Sequence, residues 1–224
     1  MALIELKHVN KVYKTGKLEF EALKQIDLDL EEGQLIAIVG PSGSGKSTML
    51  NMITGIDRPS AGSVTIDGRR IDKMKEDALA SWRGRNVGIV FQFFQLFPTL
   101  TALENTMLPM DFSKRGNIRE RRELAKEHLE LVGLGDKLHN LPSELSGGQQ
   151  QRVAIARALA NDPKIIIGDE PTGNLDSKTE KSMFELFAKL NERGKTIIYV
   201  THSRELADKA GIRIEMHDGK INQH

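Results

Sequence analysis

GPSGSGKS, Gly40 to Ser47, follows the apolar run LIAIV (35–39) and opens the helical pattern STMLNMITGI (47–56). A glycine-rich turn between a buried strand and a helix presents free backbone N–H groups to an anion, with the helix dipole behind them. Gly43 and Gly45 let the backbone wrap a phosphate with inward N–H groups. In this pattern Lys46 reaches the β- and γ-phosphates and the Ser47 hydroxyl ligates Mg²⁺, while Thr48 adds a contact near the α-phosphate. The candidate nucleotide-binding set is therefore Gly40, Pro41, Ser42, Gly43, Ser44, Gly45, Lys46, Ser47 and Thr48. The plain alternative is an ordinary strand-to-helix turn. The strand before the loop and the helix after it favour the cradle.

Two further runs, KIIIGD (164–169) and KTIIYVTH (195–202), read as buried strands, and NVGIVFQ (86–92) is similar but is followed by a less regular stretch. Continuous Ile/Val runs followed by helical patterns are how parallel strands covered on both faces read. Ligands of open α/β sheets bind off the carboxyl ends of such strands. Each run ends there in polar groups: Gln92, the pair Asp169 and Glu170, and His202. Asp169 is the candidate Mg²⁺ support, and Glu170 the group that polarises an attacking water. Gln92 is read as sensing Mg²⁺ and water, and His202 as hydrogen-bonding the γ-phosphate. Tyr13, near the end of the first strand, is either an adenine-stacking face or a partly exposed strand tyrosine.

The chain has 224 residues, 32 Lys+Arg against 31 Asp+Glu, a net charge of +1 and no cysteine. Near-neutrality argues against a strongly electrostatic nucleic-acid binder, so no nucleic-acid partner is expected. Disulfides and cysteine-ligated metals are excluded. No run approaches the ~18 apolar residues of a membrane span, so the reading expects a soluble chain whose membrane role, if any, comes through a partner. Residues 2–14 and 20–30 alternate as half-buried antiparallel strands, with Ile26, Leu28 and Leu30 on one face. Helices are expected at 47–56, 117–132, 147–160, 177–193 and 203–210. RIEMHDGKIN forms a hairpin turning at Asp218-Gly219. Between Gln92 and Asp162 only helices and loops are expected, a helical insertion into an α/β core.

LSGGQ, Leu145 to Gln149, is a second glycine-rich helix start with anion-binding character, and Ser146 is its expected cap. Alone it reads equally as a simple capped helix. Two cradles, the second in a separate helical segment, suggest a nucleotide held between two surfaces. Four of the eight Phe residues fall between positions 91 and 97. They read as core packing of the insertion or as an apolar groove for a partner helix, with Phe94 and Phe97 the candidates for the groove.

GPSGSGKS, FQ (91–92), LSGGQ, IIIGDE, NLD (174–176) and TH (201–202) occur in the order seen in ABC-type ATPase subunits. The resemblance covers roughly residues 3 to 222. It implies a RecA-like P-loop NTPase core with an antiparallel β subdomain and an inserted α-helical subdomain: residues 1–92 and 162–224 as core and β subdomain, 93–161 as helical subdomain, all one ATPase domain. It also implies ATP and Mg²⁺ as cofactors and a homodimer or pseudo-dimer. Ser146, Gly147, Gly148 and Gln149 of one protomer would complete the partner's ATP site, and Asp176 would lie in the loop connecting the two sites. DEPTGNLDS (169–177) and FQFFQLFPTLTALEN (91–105) resemble the lipoprotein-release, macrolide-efflux and cell-division branch. That branch implies an integral membrane permease-type partner and a cytoplasmic location on the inner face of the membrane. The other readings are a non-transport ATPase of the family acting on ribosomes or DNA, or one regulating cell division. Two positions depart from the family's pattern: Gly168, where Ala is more usual, and Ser203, where Asp is frequent.

Overall fold

Continuous apolar runs become strands buried on both faces. A computed structural model describes residues 2–16, 18–173 and 176–222. Its elements in chain order are β1 (Ile4–Thr15), β2 (Leu18–Leu30), β3 (Leu35–Val39), α1 (Lys46–Thr54), β4 (Ala61–Ile66), β5 (Arg69–Arg70), α2 (Glu76–Asn86), β6 (Val87–Phe91), α3 (Ala102–Ser113), α4 (Ile118–Leu131), α5 (Gly147–Leu159), β7 (Ile165–Asp169), α6 (Ser177–Glu192), β8 (Thr196–Val200), α7 (Arg204–Ala207), β9 (Ile212–His217) and β10 (Lys220–Asn222). The chain divides into two compact units, residues 1–83 with 198–224, and residues 84–197.

In the first unit β1 pairs antiparallel with both β2 and β4, and β5 extends the sheet in the order β2-β1-β4-β5. Leu23, Ile26 and Leu30 are buried on one face of β2, while Asp27 and Asp29 are exposed. The alternation read from the sequence is thus a half-buried face, and each such apolar side chain contributes about 1.5–3 kcal/mol on burial. Separately, β3 runs parallel to β9, with Ile36 opposite Ile212 and Ile38 opposite Ile214. The hairpin β9–β10 turns at Asp218 (φ 47) and Gly219 (φ 77), two left-handed residues as a type I′ turn requires. The Thr201 N–H, just after β8, donates to the Ile38 carbonyl of β3 at 3.2 Å.

In the second unit β6 and β7 are parallel, Val87 to Ile165 through Phe91 to Asp169. Among the described residues between Gln92 and Asp162 there is no strand, and α3, α4 and α5 fill the interval. Arg152 of α5 ties its neighbours together, donating to the Val132 carbonyl at 2.6 Å and to the Ser182 hydroxyl at 2.5 Å.

Four of the expected helices end within two residues of their anticipated bounds. The fifth, anticipated to Ala210, is shorter: α7 stops at Ala207, and Lys209 and Ala210 donate to Leu206 and Ala207 three residues back, the tighter bonds of a closing turn. Two helices and one hairpin are additions to the sequence reading. In α3 the pattern is blurred by Pro109 and by a wide buried face, yet its start carries a complete Thr101–Glu104 capping box. In α2 only Leu79 and Trp82 are buried, too few to show a period. The β4–β5 hairpin turns at Asp67-Gly68, the same signature as the C-terminal one. No helix of the described residues is long and apolar enough to cross a membrane.

Candidate functional site

The phosphate loop joins β3 to α1 in the first unit. Gly43 is favoured by its left-handed dihedral angle alone (φ 78), whereas Gly45 is required by space as well. Gly45 has φ 101, and a Cβ there would sit 2.6 Å from the Ala22 carbonyl oxygen of β2. The loop is tied down by the Gly219 N–H donating to the Ser44 carbonyl at 3.0 Å and by Ser44 N–H to Pro41 carbonyl at 3.2 Å. Lys46 is only 6% exposed, and its ammonium donates to the carbonyls of Gly40 (3.0 Å) and Pro41 (2.9 Å). A lysine ammonium has three donors, so the two carbonyls leave one for an anion. The Ser44 hydroxyl is buried with no hydrogen-bond partner among the described residues. These features suit a phosphate: a cradle that a side chain would fill, a buried ammonium and an orphaned hydroxyl. Ser47 is exposed at the second position of α1.

Tyr13 lies one strand away in the same unit, 37% exposed and paired across the sheet with Phe20. Its hydroxyl donates to Asp57 at 3.0 Å and hydrogen-bonds Thr48, and the Lys11 ammonium lies 4.9 Å from its ring centroid. Partial burial, then the Asp57 carboxylate, raise the phenol's pKa. The ring is therefore fixed in place with its charged form disfavoured. His202 is exposed, one residue after the Thr201 that bonds to β3. Ser203 caps α7, its side chain accepting from the Leu206 N–H at 3.4 Å, which accounts for a serine there.

The second unit carries the remaining residues. Phe91 and Asp169 are register partners at the ends of β6 and β7, so Gln92 and Glu170 both follow at neighbouring strand ends. Glu170 has φ 48, a left-handed conformation that costs a non-glycine residue about 1–3 kcal/mol and persists where the surroundings impose it. Its carbonyl accepts from Gly173 N–H at 3.1 Å. The Gln92 amide lies beside that turn, since a Cβ on Gly173 would be 2.9 Å from Nε2. Gly168 is buried under the Pro171 ring, 2.8 Å from a would-be Cβ, so this backbone leaves no room for Ala there.

LSGGQ opens α5 as anticipated. Ser146 and Gln149 form a reciprocal capping box, with Gln149 N–H to the Ser146 hydroxyl at 3.3 Å and Ser146 N–H to the Gln149 side chain at 2.9 Å. The two polar side chains satisfy each other, and the exposed Gly147 and the half-buried Gly148 supply the remaining N–H groups of the helix N-terminus. Gly148 packs against α6, where a Cβ would meet Thr179 Cγ2 at 2.7 Å. Thr179 in turn donates its hydroxyl to Asp176, the cap of α6, at 2.8 Å. Bonds from Thr179 hold the Asp176 carboxyl below its usual range. Asn174 and Leu175, the other members of that motif, lie outside the described residues. Gly148→Ala is expected to destabilise the protein by about 1–3 kcal/mol through overpacking. Adding Thr179→Ser should restore most of that loss in denaturant midpoint, because it removes only the crowding methyl.

Of the aromatic cluster, Phe93 (71%) and Phe97 (52%) are exposed, whereas Phe91 and Phe94 are half-buried. The anticipated pair was Phe94 and Phe97. Phe94 turns inward because it and Gln95 are both left-handed (φ 47 and 49), with their carbonyls gripped by Arg157 of α5 at 2.8 and 2.6 Å. Arg157, Gln151 and Thr179 escaped the sequence reading. Gln151 left a signal: it stands four residues before Ile155 and eight before Leu159, on the buried stripe of α5.

The sequence pattern of the family described as ABC transporter matches residues 23–173. An uncharacterised ABC transporter ATP-binding protein of Thermotoga maritima is 51% identical over 219 residues, 98% of this chain and 93% of that protein. The lipoprotein-releasing system ATP-binding protein LolD of Aquifex aeolicus is 49% identical over 203 residues, 90% of each chain. Among solved structures, the dimeric post-hydrolysis state of the ATP-binding cassette MJ0796 bound to ADP and Pi, from Methanocaldococcus jannaschii, superposes with a TM-score of 0.91 at 47% identity, covering 98% of this chain and 97% of that one. The fold is that of an ABC ATPase cassette, and the chain belongs to the ATP-binding subunits of ABC transporters as an ATP-hydrolysing enzyme.

Proposed function

We propose that this ATPase works as a dimer that closes on two ATP molecules and drives a separate membrane subunit. The observation that carries the reading is the likeness, over nearly the whole chain, to a dimeric cassette bound to ADP and Pi. The two anion-binding helix starts, Gly40–Ser47 and Ser146–Gln149, support it. Gly40 to Thr48 hold the phosphates, Tyr13 stacks on the adenine, and the partner protomer's Ser146, Gly147, Gly148 and Gln149 complete the site. Residues 93–161 form the helical subdomain that carries the second helix start, and the rest forms the core and β subdomain.

Phosphoryl transfer to water is mainly a matter of positioning and charge stabilisation. Lys46 and the loop amides offset charge on the γ-phosphate. Glu170 orients the water and takes its proton, Gln92 aligns it, and His202 hydrogen-bonds the γ-phosphate. Ser47, Gln92 and Asp169 would hold Mg²⁺, which when bound would supply further charge neutralisation. The donor set of one carboxylate, one hydroxyl and one amide oxygen suits Mg²⁺, which is usually held by one or two carboxylates together with substrate phosphates.

The membrane subunit docks at the exposed Phe93 and Phe97, and the protein works on the inner face of the membrane through that subunit. Its work is efflux of lipoprotein, peptide or macrolide, or mechanotransmission. Capturing the Glu170→Gln protein with ATP and Mg²⁺ from detergent-solubilised host membranes is expected to recover one integral membrane protein with few spans. Changing Phe93 and Phe97 to Ser should abolish its recovery. A many-span permease would contradict the branch, and ribosomes or chromatin without any membrane protein would contradict the transport reading.

A further inference from the structure

The inward stripe of α5 is apolar at Val153, Ala154, Ile155, Ala156, Ala158 and Leu159, and is interrupted by one amide, Gln151. Gln151 is 0% exposed. Its Nε2 donates to the Pro171 carbonyl at 2.5 Å and lies 3.4 Å from the Phe91 carbonyl. Chemistry fixes the orientation of the amide, because its oxygen in that place would face two carbonyl oxygens. The Oε1 atom then points the other way, buried and without a hydrogen-bond partner among the described residues. Burying an unsatisfied acceptor costs free energy that an apolar side chain of the same length would avoid. The amide therefore satisfies the buried Pro171 carbonyl at the cost of its own unpaired oxygen, and the two effects on stability oppose each other.

The two carbonyls belong to the residues on either side of the proposed reaction centre. Phe91 immediately precedes Gln92, and Pro171 immediately follows Glu170. Glu170 is in the left-handed region, so its peptide needs outside restraint to stay there. The Gly173 N–H bonded to its carbonyl is one restraint, and the Gln151 amide on the next carbonyl is another. Gln151 also sits on the helix whose first turn is Ser146 to Gln149. One side chain thus connects the signature turn, the strand end before Gln92 and the turn that aims Glu170.

We propose that Gln151 is a positioning residue for ATP hydrolysis, fixing the turn that follows Glu170 and passing movement of the α5 N-terminus to that turn. The proposal rests on the reading of Glu170 as the base. The test compares kcat, KM, calorimetric ATP affinity and thermal stability of the full chain carrying Gln151→Met, Gln151→Asn, Glu170→Gln, and Gln151→Met with Glu170→Gln together. Met keeps the length without donors, and Asn keeps the amide but withdraws it from both carbonyls. The expected result is a loss of about tenfold or more in kcat for both Gln151 variants. ATP affinity should stay within about twofold and melting temperature near the parent's, with no further loss when Gln151→Met is added to Glu170→Gln. Parental kcat in the Gln151 variants would overturn the proposal. So would a loss that multiplies with that of Glu170→Gln, a fall in ATP affinity matching the fall in turnover, or failure of both variants to fold. Parental turnover in Glu170→Gln would remove the base itself and the proposal with it, an outcome distinct from failure of Gln151 alone.

Discussion

Glu170→Gln is expected to bind ATP as the parent does while its turnover falls by about 10²–10⁴-fold, the usual contribution of a general base. Gln matches Glu in shape and accepts a hydrogen bond, but has no carboxylate to take a proton. The left-handed turn at residue 170 is held by Gly173 and Gln151 through the backbone carbonyls of Glu170 and Pro171, so the substitution leaves those restraints intact. Lost chemistry with retained binding has a second consequence. ATP-bound protomers should accumulate, because nothing converts the ligand that joins them into product. Single-turnover phosphate release and the nucleotide content of the purified protein check both parts. Near-parental phosphate release would take Glu170 out of the mechanism.

Lys46→Ala should act on the other side of the cycle, weakening ATP binding by about 10- to 150-fold, the equivalent of one charged hydrogen bond at about 1.5–3 kcal/mol. The ammonium is already desolvated and held against the Gly40 and Pro41 carbonyls, so little reorganisation stands between the free loop and a bound phosphate. Removing it leaves those two carbonyls without their donor and leaves the phosphates without their nearest buried cation. The fold should persist, since α1 is anchored by the buried Met49, Leu50, Met52 and Ile53. Titration calorimetry with Mg²⁺-ATP reads the effect directly. Unchanged affinity would contradict the cradle.

The parts of this molecule legible in the sequence are those where local pattern and tertiary role coincide. LIAIV, GPSGSGKS and the helix behind them agree at every level, and the structure places β3, a buried Lys46 and α1 there. LSGGQ is similar, because Ser146 and Gln149 are three residues apart and satisfy each other without help from the rest of the chain. What was hidden depends on partners distant in sequence. Asp57 reaches Tyr13 from 44 positions away, and Arg157 reaches Phe94 from 63. The inward turn of Phe94 follows from that grip and not from its own neighbourhood, so an even run of phenylalanines could not reveal which ones are exposed. The β4–β5 hairpin and the start of α3 are different: Asp67-Gly68 and the Thr101–Glu104 box were readable signals, masked by short strands and by Pro109.

The proposed dimer requires that the Ser146–Gln149 turn of one protomer complete the ATP site of another. The most direct measurement is the mass in solution, by light scattering, of Glu170→Gln with and without ATP and Mg²⁺, alone and combined with Gly147→Asp. Gly147 is exposed at the first turn of α5, so a carboxylate there sets a negative charge against an incoming phosphate without disturbing the buried stripe. A dimer is expected only when ATP is present and Gly147 is intact, with monomer in the other three conditions. A dimer that forms without ATP, or that survives Gly147→Asp unchanged, would contradict that requirement.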